Sequence, residues 1–469
     1  ASEMKGLFAS GLLRPQLAEA PLVEFLASHR IDHDEETQLF VGIKQVPPGC
    51  LLRVKKAAGA AGISTTLTRY FTLVPPPAAA SDRLVLSPRE LHELADEAGS
   101  LLRDAVAITL RSDAPRGGTL SGGLDSSTVT ALATRALSAG ESYAVFSVQY
   151  PQKDDLDRRY ADQMAAALSL RPQKITPSSD DFARDLDTVL YHQEAPFGDP
   201  SICAHYALMK QVAAAGVKVL LTGQGGDEVF GGYGSYVYVR GGQLLRKGPR
   251  GLPTLFREIA AHARQGNDSA LRLLLGAGYH ALPAVLTERL HGLRRRGLYP
   301  LSTRGERLFH DAAPRFTAEL PGLAGQGTWG RFDRYLLDAL ARFALPHIPR
   351  HEDRNGMAVA VESRAPLLDH RLVSLLFRSP AAARVSDGQT KRLLREITVG
   401  ILPESVRHVS DLLPFQFLAY IPAGLLSGSI PIVDSWKLLL IATSWILILW
   451  AATMALWRRG IVKFGAYGG

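Results

Sequence analysis

The stretch Thr119-Leu120-Ser121-Gly122-Gly123-Leu124-Asp125-Ser126-Ser127 constrains this chain more than any other. It follows a short apolar run and precedes Thr128 to Leu137, where Val129, Leu132, Ala133 and Leu137 recur at helical spacing. The order reads as strand, tight turn and helix start. Two glycines let the backbone bend with its amides inward, Ser121, Ser126 and Ser127 add hydroxyls, and a helix N-terminus adds partial positive charge. Such a loop suits an anion like pyrophosphate. A carboxylate at Asp125 makes sense beside phosphates if Mg²⁺ lies between them, since the hard cation takes oxygen ligands from both. Gly-x-x-x-x-Gly-Lys-Ser/Thr is absent and the turn holds no lysine, so cleavage between β and γ phosphates is not the natural reading.

Ser-Gly-Gly-Leu-Asp-Ser-Ser resembles the PP-loop of ATP pyrophosphatases, which break the α–β bond of ATP and leave AMP on a substrate. Around it, Pro88 to Leu110 reads as a helix with Leu91, Leu94, Leu101, Leu102, Val106 and Leu110 inward. Ala144–Val148 and Val217–Thr222 read as strands, and Tyr160–Leu168 and Phe182–His192 as helices. This alternation predicts an α/β fold, a parallel sheet with helices on both faces, whose ligands sit beyond the carboxyl ends of the strands.

A second glycine-rich stretch, Leu221-Thr222-Gly223-Gln224-Gly225-Gly226-Asp227-Glu228-Val229-Phe230-Gly231-Gly232-Tyr233, follows the second of those strands. Its adjacent carboxylates place Asp227 as a second Mg²⁺ ligand. The stretch resembles the Gly-Glu-Gly-Gly-Asp-Glu-Leu-Phe-Gly-Gly-Tyr motif of the asparagine synthetase C-terminal domain, with Gln224 in place of the glutamate. Arg350–Met357 and Val361–Val373 resemble that family's helical lobe, and Asp387–Glu396 its phosphate-contacting lysine helix. For Glu362, Arg364, Asp369 and Arg371 a buried charged network is expected.

Ser2–Leu7 and Phe40–Gly49 resemble the closing part of that family's glutaminase domain. Here Leu17–Ser28 reads as a helix, and Gln38–Ile43 and Leu51–Val54 as strands. The implied organisation is a partial Ntn-type glutaminase α+β domain over 1–74, a proline-alanine linker over 75–87 and a PP-loop synthetase domain over 88–407. The family's glutaminase uses an N-terminal cysteine, whereas this sequence opens on Ala1, so glutaminase activity is not expected.

The resemblance implies ATP-dependent amide synthesis through an acyl-adenylate, releasing AMP and pyrophosphate, with ATP and Mg²⁺ required. Aspartate is the default carboxylate and ammonia the default nucleophile; amidation of sugar acids and lactam or macrolactam closure stay open. The residues it implies for nucleotide binding are Ser121, Gly122, Gly123, Asp125, Ser126, Ser127, Val148, Gly223, Gly225 and Gly226. Asp125 and Asp227 are implied as metal ligands. Glu194, in Tyr191–Pro200, corresponds to the carboxylate that accepts a proton from the attacking amine, and Lys391 to a cation that neutralises departing pyrophosphate.

A formal charge of +8 fits an anionic ligand without choosing one. Arg294-Arg295-Arg296 and the basic region Gly241–Gly330 read as a solvated face, and no nucleic acid is expected. Cys50 and Cys203, the only cysteines, suggest neither a disulfide framework nor a zinc site, and a reducing, cytoplasmic setting is the default. The family pattern breaks off near Arg407. Leu438–Trp457, about twenty residues without a charge, is long enough to cross a bilayer, so residues 408–469 are expected to form a hydrophobic tail with one transmembrane helix. That tail resembles the end of ABC-2 type permease subunits and would anchor the domain to a membrane. A separate glutaminase subunit and a homodimer are compatible with this reading. The rival is a non-catalytic, membrane-tethered remnant.

Overall fold

Short strands paired in parallel decide the architecture. In the computed structural model, residues 3–402 are described, apart from 20, 23–24, 26–37, 57–61, 76–82, 139, 150–155, 198, 265–269, 284–285, 287–329 and 344. The N-terminal portion carries helix α1 (Met4–Ala9) and an antiparallel hairpin, β1 (Cys50–Lys56) and β2 (Ile63–Arg69), with Leu52 opposite Leu67. Helix α2 (Pro88–Thr109) opens on a reciprocal cap: Ser87 accepts from the Glu90 amide and Glu90 accepts from the Ser87 amide.

The α/β core then runs β3 (Arg116–Thr119), α3 (Leu124–Ala136), β4 (Tyr143–Val148), α4 (Leu156–Ala167), β5 (Gln173–Ile175), α5 (Ser179–Gln193), α6 (Ser201–Ala214), β6 (Val219–Leu221) and α7 (Gly226–Phe230). Further helices are α8 (Ser235–Arg246), α9 (Leu252–Arg264), α10 (Ala270–Ala281), α11 (Arg331–Asp338) and α12 (Ile348–Met357). Strand β7 (Glu362–Arg364) follows, then α13 (His370–Arg378), α14 (Ala381–Arg384) and α15 (Arg392–Ile397).

The sheet is parallel throughout, in the order β5-β4-β3-β6-β7. β6 sends Val219 and Leu221 into one apolar cluster and Leu220 into another, and β4 divides Val145 from Phe146 in the same way. The pleat's two-residue period therefore feeds a core on each face. Strand order reverses between β3 and β6, so the loops leaving both strands emerge side by side at the switch point where such sheets bind ligands. Leu73, just before the expected linker, and Leu86, within it, are buried in the larger cluster.

Several expectations are corrected. The strand entering the first loop is not apolar but Arg-Gly-Gly-Thr, because neighbours leave no room for side chains: a Cβ on Gly118 would lie 2.2 Å from Tyr143 Oη. Gln38–Ile43 is not a strand; Phe40 forms an isolated bridge with Leu17 and the chain turns at Gly42, with φ of 80°. Leu17 thus lies outside its expected helix, whose described residues begin at Glu19. Asp387–Gln389 form a turn ahead of α15, because Asp387, Gly388 and Lys391 have left-handed φ values of 54°, 71° and 52°. Gly241, Gly242, Gln243 and Leu244 are buried in α8. Arg294–Arg296, the apolar run 438–457 and the rest of 408–469 lie outside the described residues. Among the described residues no helix is long and apolar enough to cross a membrane.

Candidate active site

Backbone geometry brings the two glycine loops together. Gly122 turns the first loop at φ of 88°, and Gly123 caps α3, whose opening amides have no intrahelical acceptor. Ser126 Oγ accepts from the Ser121 amide at 3.1 Å and lies 2.9 Å from Ser121 Oγ, which braces the turn. Ser127 Oγ is buried without a protein partner among the described residues. From the second loop, a Cβ on Gly223 would meet the Ser126 nitrogen at 2.6 Å, and one on Gly226 would meet Asp125 Cγ at 2.3 Å. Only glycine lets the second loop approach the first so closely. Gly225, at φ of 85°, faces Leu368, which would stand 2.1 Å from a Cβ there.

Asp125 and Asp227 face each other across Lys391. Its Nζ lies 2.7 Å from Asp125 Oδ2 and 2.7 Å from Asp227 Oδ1. Gly232 makes room for this arrangement, since a Cβ there would lie 1.9 Å from Asp227 Oδ1 and 2.1 Å from Lys391 Cε. Burial pushes the Asp125 carboxyl up to about 6, against the pull of Lys391 and with help from the Asp227 charge. Burial works to lower Lys391, but the two carboxylates outweigh it and hold its pKa above the ordinary value. Glu228 turns away, accepting from the Tyr233 hydroxyl, and burial raises its pKa.

These residues fit a magnesium ion. Asp125 Oδ1 is buried with no protein partner among the described residues, and two carboxylates suffice for an ion that completes its octahedron with phosphate oxygens and water. The described residues contain no group of three or more His, Cys, Asp and Glu suited to an all-protein metal cage.

Glu194 belongs to a different polar cluster. It closes α5 at φ of 55°, and its oxygens accept from the amides of Met4 at 2.9 Å and Lys5 at 2.6 Å. Arg354 Nη1 stands 2.8 Å away, and the Glu194 side chain is only 5% exposed. Val148 ends β4 opposite Ile175 and packs on the second apolar cluster. The structure thus joins Asp125, Asp227, Lys391 and the loop glycines, and holds Glu194 and Val148 with other partners.

Arg354 and Gly232 are functional candidates that sequence reading missed. Gly232 stood inside the quoted motif, and only its contact distances reveal its part; Arg354 pairs with a residue 160 positions away, a separation that no local pattern signals. The expected network around Glu362 is only partly buried. Glu362 is 57% exposed and paired with Arg364, which donates to the carbonyls of Thr109 and Arg111 at 2.8 Å each. Arg371 bridges Asp369 and Asp104.

A doubly wound parallel sheet with a lysine-free, glycine-rich loop at its switch point, faced by an acidic loop, is the layout of an α/β domain of the PP-loop class. The sequence pattern of the asparagine synthase family matches residues 97–410, and the chain belongs to that family. It is similar to asparagine synthetase [glutamine-hydrolyzing] 1 of Bacillus subtilis, 26% identical over 388 residues, 79% of this chain and 55% of the relative. It is 24% identical to the amidase chry2 of Gibberella zeae over 449 residues, 87% of this chain and 63% of the relative. A third relative, asparagine synthetase [glutamine-hydrolyzing] 3 of Bacillus subtilis, is 24% identical over 320 residues, 66% of this chain and 46% of the relative. The chain spans about half the length of the curated asparagine synthetases it matches.

Proposed function

We propose that this chain forms amides at the expense of ATP, with aspartate as the carboxylate and ammonia as the nitrogen donor, releasing AMP and pyrophosphate. The observation that carries the reading is the meeting of Asp125, Asp227 and Lys391 where the β3 and β6 loops converge. The first loop and the opening amides of α3 would receive the phosphates. A bound Mg²⁺, held by Asp125 and Asp227, would supply charge neutralisation for the departing pyrophosphate. Lys391, on a backbone fixed just ahead of α15, brings a further positive charge to the same oxygens.

The substrate carboxylate attacks the α phosphorus, the α–β bond breaks and pyrophosphate leaves. Ammonia then attacks the acyl carbon of the mixed anhydride, AMP departs and the nitrogen sheds a proton. Glu194 is the acceptor for that proton on the family's pattern, with its oxygens also accepting from the Met4 and Lys5 amides. The relatives carry the names asparagine synthetase and amidase, so the product assay must leave the acyl substrate open.

AMP and pyrophosphate release by the full chain with ATP, Mg²⁺ and ammonium, with and without aspartate, tests the reading, with products identified by mass. Aspartate-dependent AMP together with asparagine is expected. Asp125→Asn is expected to slow pyrophosphate release by on the order of 10²–10³-fold, the loss typical of one preorganised electrostatic group. Retention of most turnover would remove Asp125 from the reaction.

A further inference from the structure

We infer that Lys391 occupies the divalent-cation position as a resident ammonium and keeps it closed to free metal until a nucleotide arrives. The inference rests on the proposed Mg²⁺-ATP reading of the same site and adds an order of events to it. Its ground is geometric. Nζ sits at equal 2.7 Å distances from one oxygen of each carboxylate, which is where an ion bridging Asp125 and Asp227 would lie. The lysine side chain is 13% exposed, as is that of Asp125, so the ammonium is enclosed rather than loosely paired at a surface.

The backbone beneath Lys391 is held by contacts separate from the two carboxylates that hold its ammonium. Gly388 donates its amide to buried Glu258 at 2.7 Å, and its carbonyl lies 3.2 Å from His262 Nδ1. Arg257 and Arg392 both pair with Asp387. Left-handed φ values at Asp387 and Lys391 are conformations that persist only where neighbours enforce them. The four-carbon stem pivots from this fixed point and moves Nζ without moving the turn.

Magnesium gives up water reluctantly and gains most when phosphate oxygens complete its shell. Free metal would have to evict the ammonium and leave it buried without an anion, which is costly. Metal arriving with a triphosphate gives the displaced ammonium a new partner. Lysine therefore exchanges two carboxylates for phosphate oxygens as the metal enters, and the empty enzyme keeps its two carboxylates paired.

Mn²⁺ serves as the probe, titrated into the full chain by calorimetry or electron paramagnetic resonance, with and without a non-hydrolysable ATP analogue. Wild type is expected to bind Mn²⁺ weakly alone and far more tightly with the analogue. Lys391→Met is expected to bind Mn²⁺ alone roughly tenfold or more tighter than wild type, because a unit positive charge between the ligands has gone, although turnover is lost. Lys391→Gln, which can still hydrogen-bond both carboxylates, should show the same gain and guards against a folding defect in the methionine variant. Equal Mn²⁺ affinity in wild type and both variants, with nucleotide-dependent binding intact, overturns the closure and leaves the site reading standing. Absence of Mn²⁺ binding in every protein, even with the analogue, overturns the metal-site reading and the inference with it.

Discussion

A single buried carboxyl couples the stability of this molecule to pH. Glu352 on α12 faces Thr222 Oγ1 at 3.5 Å and His205 Nε2 at 4.0 Å, and it is packed against Ser363 on β7, with Asp353 beside it. Burial pushes its carboxyl up to about 7, while burial pushes His205 down to about 4. A neutral acid beside a neutral imidazole is the favoured state between about pH 4 and about pH 7. The unfolded chain releases the Glu352 proton near its ordinary value and the folded chain holds it to about 7, so the folded form binds the extra proton between those values. Stability from this group is therefore greatest at low pH and falls as pH rises to about 7, then levels off. Glu352→Gln removes the titration. Relative to wild type it should gain about 2–3 kcal/mol between roughly pH 4.5 and pH 8, read from urea unfolding at several pH values. A pH-independent difference would show that Glu352 ionises like an exposed glutamate.

At the scale of elements, β3 illustrates how packing overrides local preference. Its Gly117 and Gly118 suit a strand poorly, yet β3 lies at the centre of the sheet. A Cβ on Gly117 would meet the Ala144 carbonyl oxygen at 2.5 Å, and one on Gly118 the Tyr143 hydroxyl at 2.2 Å. Gly118→Ala should therefore cost about 1–3 kcal/mol by overpacking. Tyr143→Phe in the same chain removes the clashing oxygen and should recover part of that loss, a coupling that a thermal-melt double-mutant cycle would detect; simple additivity would place the clash elsewhere. The same contrast explains what the sequence discloses. Helix α2 was legible because the spacing of its apolar residues is a local signal. Strands β4 and β6 were legible because fully buried strands read as continuous apolar runs. β7, Glu-Ser-Arg, was not, since its strand identity comes from pairing with β6 rather than from its residues. In the site, Asp125 and Asp227 announced themselves by standing among glycines, whereas the left-handed turn that presents Lys391 depends on contacts with α9 and carries no local signature beyond Asp387-Gly388.

Across the whole molecule, one carboxylate ties the N-terminal portion to the nucleotide-binding half. Glu194 reaches residues 190 and 189 positions away in sequence, and it does so at the first turn of α1, where amides lack helical acceptors and a negative charge is favoured. Glu3 and Lys5 extend the contact: Glu3 lies 3.6 Å from Arg354 and 3.0 Å from Lys5, whose ammonium stands 4.8 Å from the centre of the Tyr191 ring. Docking of α1 thus draws on both oxygens of the Glu194 carboxylate. Hydrogen exchange measures how much of the docking depends on them. In Glu194→Ala, loss of charge-assisted bonds worth about 1.5–3 kcal/mol should speed exchange across Met4–Ala9 by roughly tenfold or more, leaving the amides of β3, β4 and β6 unchanged. Glu194→Gln keeps an acceptor oxygen without the charge and should fall between. Equal exchange in all three proteins would mean that α1 is held by Met4 and the surrounding apolar contacts alone, and that Glu194 is free for chemistry without any movement of the N-terminal portion.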